Sequence, residues 1–325
     1  MSKPFTLYWT NFRRYEECPQ KFLWYSGWGA IDVGGGPGKK KPKPYKRSTH
    51  HALMGIVIAQ VTENLYNDEL WKDPTALVYR LKEMTRKEFT FEYPKHYIDP
   101  RMAPSREEML KVCIDGVSGF VGTMKQNRLL GPYARSEVDL VAYVNKYTPI
   151  GGRADYIIRR EDTGISILDG KNSVHKGKYT DPDQLRWYGL CFYLSHNVMP
   201  DRLGFVYFRY PHGTPKDDGG VESGVDWVEF SKDDFKGLAQ RAADARKGMH
   251  QEKFDPTPTP SMCRLCDYED VCEARQAQRA GNRRKPKNTN DLFDGADGLI
   301  EFGLTGGCLL YTSDAADERS SVDLG

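Results

Sequence analysis

Apolar spacing divides the chain into a helical first half and a strand-rich second half. From Ser48 to Tyr66 the residues Leu53, Ile56, Val57, Val61 and Leu65 recur at three- and four-residue intervals, which predicts one helix with a single buried face. Two more helices are expected at 74–89 and 105–128, kept apart by Pro94, Pro100 and Pro104. The later one opens on Ser105 and Glu108, the spacing of a capping box. Period-two patterning then takes over. Strands are predicted near 135–144, 153–160 and 164–170, then a helix over 182–195, a strand in Leu203–Tyr210 and another in Val225–Phe230. A helix from Lys232 to Met249 follows. This order predicts an α/β fold with a central mixed sheet flanked by helices.

The middle of this pattern sets up a local geometry. Tyr156, Ile157 and Ile158 follow Asp155 on one run, Glu161 to Gly164 supplies turn chemistry, and Ile165 to Leu168 leads into Asp169. A hairpin folded this way brings Asp155, at the start of one strand, close to Asp169 and Lys171 at the end of the next. Asp181 and Pro182 read as an N-cap and first helical residue, which places Gln184 at the third position of a second capping box. Gln184 and Tyr188 share a helix face, directed toward the hairpin end if the helix packs back on the sheet.

Composition adds bounds. The chain has 325 residues, enough for one large or two modest domains with a real core. No run of eighteen apolar residues occurs and the opening does not read as a signal peptide, so a soluble, cytoplasmic protein with no membrane partner is expected, from a prokaryotic or phage-infected cell. Residues 308–325 resemble translated adapter sequence from a sequencing library joined to a real gene. Leaving them out removes one basic residue (Arg319) and four acidic ones (Asp314, Asp317, Glu318, Asp323), so the net charge rises from +2 to +5. That mild positive charge permits nucleic-acid binding without indicating it. The aromatic-rich opening, Phe5 to Trp28, is expected to pack. Gly34 to Arg47 reads as a basic linker, solvated or in contact with phosphates. Arg275 to Lys287 is basic again, a disordered tail or a DNA contact. Cys113 and Cys191 read as small buried hydrophobes. The segments expected are 1–33, the linker 34–47, a helical region 48–134, a core 135–254, a cysteine-rich and basic segment 255–287, a disordered tail 288–307 and the foreign end 308–325.

Two acids and a lysine at a strand end suit metal-assisted attack on a phosphodiester. Hard carboxylate oxygens hold Mg²⁺ or Mn²⁺, and an ammonium stabilises phosphate charge or positions the attacking water. Acids and lysines also flank strands merely as solvated ends, and Asp-x-Lys alone is a short pattern. Its company gives it weight: Gly152-x-x-Asp155 before it and Gln184-x3-Tyr188 after it. A second chemistry appears after the stiff spacer Asp255–Ser261, as Cys263-x2-Cys266-x5-Cys272. A tight Cys-x2-Cys turn points both thiolates at one ion, and metal binding is the favoured use of three such cysteines in an intracellular chain. The fourth ligand is open between Cys18, His250 and His212.

Gly-x-x-Asp, Asp-x-Lys and Gln-x3-Tyr together resemble the RecB-type branch of the PD-(D/E)XK nuclease superfamily, with its restriction-endonuclease-like core. The resemblance implies that Asp155 and Asp169 bind the metal, that Lys171 is catalytic and that Gln184 and Tyr188 contact DNA. Glu137 resembles an acid often found just upstream. The family often carries Gly-x3-His-x3-Glu in the preceding helix, where this chain has Gly55, Ala59 and Glu63, so the metal-shell histidine is absent and Glu63 or water would replace it. A single early cysteine followed by Cys-x2-Cys-x5-Cys resembles the iron–sulfur nucleases, the AddB-type and CRISPR-associated Cas-four-type among them. By that resemblance Cys18, Cys263, Cys266 and Cys272 hold a structural [4Fe–4S] cluster, with zinc as the alternative. Two classes of function follow: a Mg/Mn-dependent deoxyribonuclease, an exonuclease on single strands or DNA ends in recombination, repair or mobile-element processing, or a degenerate DNA-binding scaffold with a metal staple.

Overall fold

The structure is a computed structural model that describes residues 5–26, 49–73, 76–131, 133–177, 180–210, 222–264 and 266–283. The linker 34–47, His212 and everything after 283, including the 288–307 and 308–325 segments, lie outside the described residues. In chain order the elements are β1 (Leu7–Tyr8), α1 (Trp9–Glu17), α2 (Pro19–Ser26), α3 (His50–Asn67), α4 (Leu77–Glu92) and α5 (Arg106–Gln126). Then come β2 (Ala134–Asn145), β3 (Thr148–Arg160), β4 (Gly164–Lys171), α6 (Pro182–His196), β5 (Arg202–Tyr207), β6 (Val225–Val228), α7 (Lys232–His250), α8 (Pro260–Arg264) and α9 (Glu273–Arg283). The described chain divides into two compact units, one of residues 5–13 and 49–251, the other of 14–26 and 252–283.

The first unit is α/β with a mixed sheet, as the patterning predicts. Its six strands run β1-β3-β4-β5-β6, with β2 paired to β3. The β2–β3 and β3–β4 pairs are antiparallel, β4–β5 is parallel with α6 as its crossover, and β5–β6 is antiparallel. Leu53, Val57, Ile58, Val61 and Leu65 of α3, Phe89 of α4 and Phe120 of α5 form one core cluster with Tyr156, Leu168 and Val206 from the sheet and Phe208 just after β5. A second set packs around α6, where Trp187 is fully buried and stacks on Phe12, ring centroids 4.7 Å apart. Burying a side chain of that size contributes about 1.5–3 kcal/mol, and that anchors α6. Cys113 and Cys191 are fully buried, as expected of small hydrophobes.

The Ser105–Glu108 capping box forms: the Glu108 amide donates to Ser105 Oγ at 3.2 Å and the Ser105 amide to Glu108 Oε2 at 2.8 Å. Three expectations need correction. β3 starts at Thr148 rather than 153, so Asp155 sits in mid-strand and not at its start. The long pairing with β2, Tyr143↔Pro149 through Ala134↔Ile158, carries the strand through Pro149, Gly151 and Gly152. The capping box at Gln184 does not form. Asp181 accepts from the Asp183 amide at 3.1 Å, and the Gln184 side chain is turned to stronger, charged partners. Finally, α9 replaces the disordered tail over Glu273–Arg283, where Glu269 accepts from Arg275 at 3.1 Å and from Arg279 at 2.6 Å.

In the second unit Phe22 stacks on Phe254 at 6.4 Å and Tyr15 meets both rings edge-on. Tyr25 donates to Asp267 and packs edge-on against Tyr268 at 5.3 Å. The aromatic opening therefore serves packing in this unit, as expected.

Candidate active site

The β3–β4 hairpin brings the predicted acids together. Tyr156 pairs with Leu168, so the same register sets Asp155 opposite Asp169. The Gly170 amide, between Asp169 and Lys171, donates to Asp155 Oδ2 at 2.6 Å. Lys171 Nζ lies 2.7 Å from Asp169 Oδ2. Both side chains are buried, Asp169 fully so. Two glycines make room. A Cβ at Gly170 would collide with the Phe208 ring and crowd the Asp155 carboxyl, and one at Gly152 would lie 2.6 Å from Tyr188 Cδ1. The glycine of Gly-x-x-Asp is thus a packing requirement between β3 and α6.

Gln184 joins the pair. Its Nε2 donates to Asp169 Oδ1 and to the Tyr188 hydroxyl, each at 3.1 Å, and its Oε1 accepts from Lys171 Nζ at 3.1 Å. Only this orientation of the amide suits an anion on one side and a cation on the other. Gln184 and Tyr188 are both buried, so the structure joins the predicted DNA-binding helix to the acids and the lysine.

Two further acids stand near. The β2–β3 register sets Glu137 opposite Asp155, and Glu137 takes a left-handed backbone, φ 50°, uncommon for a residue with a Cβ. Burial pushes the Asp155 carboxyl well above the usual carboxylate range; Asp169 and Glu137 add to the rise, while the Gly170 amide and Lys171 oppose it. Burial likewise raises Glu137, opposed by Arg153 and reinforced by Glu63, Asp139 and Asp169. Glu63, on α3, accepts from Gln60 at 3.1 Å and Asn67 at 3.4 Å. Thr62 beside it hydrogen-bonds the buried Tyr156 hydroxyl at 2.7 Å, which ties α3 to β3. Ala59, where the resemblance leads one to expect histidine, offers no ligand atom.

Sequence reasoning missed Arg153, whose Nε lies 2.7 Å from Glu137 Oε2. Its signal was its place inside Gly152-Arg153-Ala154-Asp155.

The donor set fits a hard divalent cation. Mutually repelling carboxylates, offset only in part by Lys171 and Arg153, gain from a 2+ charge among them. Among the described residues, however, no three His, Cys, Asp or Glu side chains are already grouped closely enough to hold a metal. The same holds for sulfur, so a four-cysteine cluster is not shown. Cys18, Cys263, Cys266 and Cys272 nonetheless line one cavity of the second unit with Gln20 and Lys21. Burial raises the Cys263 and Cys266 thiols.

The chain belongs to the PD-(D/E)XK nuclease superfamily, whose family model matches residues 9–273. Members act on DNA as phosphodiester hydrolases and typically use Mg²⁺ or Mn²⁺. No curated protein matches the chain. Among solved structures, one titled "Crystal structure of SSO0001" is similar over 69% of this chain and 85% of that one, at 15% identity and a TM-score of 0.31. No helix among the described residues is long and apolar enough to cross a membrane.

Proposed function

We propose that the protein is a Mg²⁺- or Mn²⁺-dependent deoxyribonuclease, acting as an exonuclease on single strands or DNA ends in recombination, repair or mobile-element processing. The observation that carries the reading is the joined pair of acids: one backbone amide links Asp155 to the strand that bears Asp169 and Lys171. Asp155 and Asp169 would hold the ion with the Gly170 carbonyl, and Glu63 and Glu137 are auxiliary. Such an ion lends charge to the phosphate and lowers the pKa of water. The protein's own part is positional. Lys171 keeps its ammonium at the acid row and stabilises phosphate charge. Gln184, braced by Tyr188, fixes both the ammonium and the Asp169 carboxylate, and so orders the strand contact through them. In Asp169→Asn we expect no cleavage of end-labelled single- or double-stranded DNA with Mn²⁺ and near-normal DNA binding. Unchanged cleavage in that variant rules the site out. A wild-type protein that binds DNA but never cleaves it, at any Mn²⁺ level, favours the scaffold reading that Ala59 suggests.

We further infer that Cys18, Cys263, Cys266 and Cys272 bind a structural metal, a [4Fe–4S] cluster in preference to zinc, as in AddB-type and Cas-four-type nucleases. Their shared cavity supports this, as does the Cys-x2-Cys-x5-Cys interval. The metal would tie together the two chain segments of the second unit. Anaerobically purified protein should be brown and contain iron, whereas a colourless protein with one zinc would contradict the iron reading.

A further inference from the structure

We propose that Arg153 binds a phosphate of the DNA strand at the edge of the acid row, a role that rests on the nuclease reading above. The argument begins from charge. Asp169 and Glu137 act on Asp155, Glu63 and Asp169 act on Glu137, and a DNA backbone approaching these acids is repelled unless a cation faces it. Lys171 is poorly placed for first contact. Its side chain is 7% exposed and committed to Asp169 at 2.7 Å and to Gln184 at 3.1 Å. Arg153 differs. It sits two residues before Asp155 on β3, and its side chain is 27% exposed. Glu137 Oε2 lies 2.7 Å from its Nε as an ion pair without hydrogen-bond geometry, and Asp139 Oδ1 lies 3.9 Å from the same nitrogen. No described residue accepts a hydrogen bond from its two terminal nitrogens. A guanidinium ion-paired on its Nε side keeps its planar outer fork for a second anion, and that fork matches phosphate oxygens two at a time. Glu137 therefore aims Arg153 as well as being neutralised by it.

The test measures binding apart from turnover. A short labelled oligodeoxynucleotide is titrated with Ca²⁺ in place of Mn²⁺, over a range of salt. Arg153→Met should weaken binding about tenfold and lower the salt slope by about one phosphate's worth, while Arg153→Lys should restore the slope but not the full affinity. A neutral methylphosphonate at the contacted position should weaken the wild type by a similar factor and Arg153→Met no further. Glu137→Gln, titrated in EDTA so that its auxiliary place beside the ion plays no part, separates this role from simple pairing, since its amide oxygen can still face Arg153. Phosphate binding predicts that it tightens DNA binding, because a repelling carboxylate is gone; a purely structural pair predicts that it weakens binding as Arg153→Met does. Wild-type affinity and slope in Arg153→Met, or weaker binding in Glu137→Gln, would overturn the proposal, and the Glu137→Gln arm decides the matter if Arg153→Met fails to fold. A wild type that binds in this Arg153-dependent way yet never cleaves with Mn²⁺ would instead sink the nuclease reading and leave the phosphate contact standing.

Discussion

Gln184→Leu removes the amide while keeping most of its volume, so it isolates the hydrogen bonds from the packing. The wild-type side chain bonds Asp169, Lys171 and Tyr188, and two of these partners are charged. Hydrogen bonds to charged groups contribute about 1.5–3 kcal/mol each, and a buried group left unpaired costs about 1–3 kcal/mol. Lys171 and Asp169 keep each other at 2.7 Å, which softens the loss. We therefore expect a fall in stability of about 2–3 kcal/mol, well short of the additive figure. The kinetic effect follows from geometry. With Gln184 gone, the ammonium loses one of its holds, and a misplacement of about 1 Å costs about 100-fold. Lys171→Ala sets the ceiling at about 10²–10³-fold, the cost of losing one preorganised charge donor. Single-turnover cleavage of an end-labelled oligonucleotide with Mn²⁺ gives the rate, and urea unfolding gives the stability. A Gln184→Leu protein with wild-type rate and wild-type urea midpoint would refute the claim that this amide organises the site.

Gly152→Ala should destabilise by about 1–3 kcal/mol, read by urea unfolding, because its Cβ would press on Tyr188 and push α6 from β3; it should also slow cleavage, since Gln184 rides on α6. Burial, aided by the charges of His50 and Arg209, lowers the His51 imidazole to about 4 from its ordinary 6.5. Between pH 6.5 and 4 the unfolded chain then binds more protons at this site, so stability falls as pH falls through that window, and His51→Gln should flatten the decline in urea midpoints measured at pH 7 and pH 5.

Much of this was legible from spacing alone. The hairpin turn at Glu161–Gly164, the Ser105 cap and the α3 stripe depend on residues close in sequence, and each forms as read except that Ile58, not Ile56, is the buried isoleucine of α3. Asp155 and Asp169 could be paired because an antiparallel register follows from a short turn. What escaped depends on distant partners. β3 runs through Pro149 and two glycines because β2 pairs with it along that length. Gln184 ignores its own helix end because an aspartate and a lysine from β4 outbid a backbone amide. Arg153 was invisible because its meaning comes from Glu137, sixteen positions earlier and on another strand.

The short bond from the Gly170 amide to Asp155 also limits how such a centre can be altered. A loop grafted into the turn, or a bulge bred into β4, would move both ligands at once, because the first acid leans on the main chain of the second. Redesign for a different ion would have to treat the two aspartates as one mechanical part, and a lineage that loses one has little reason to keep the other.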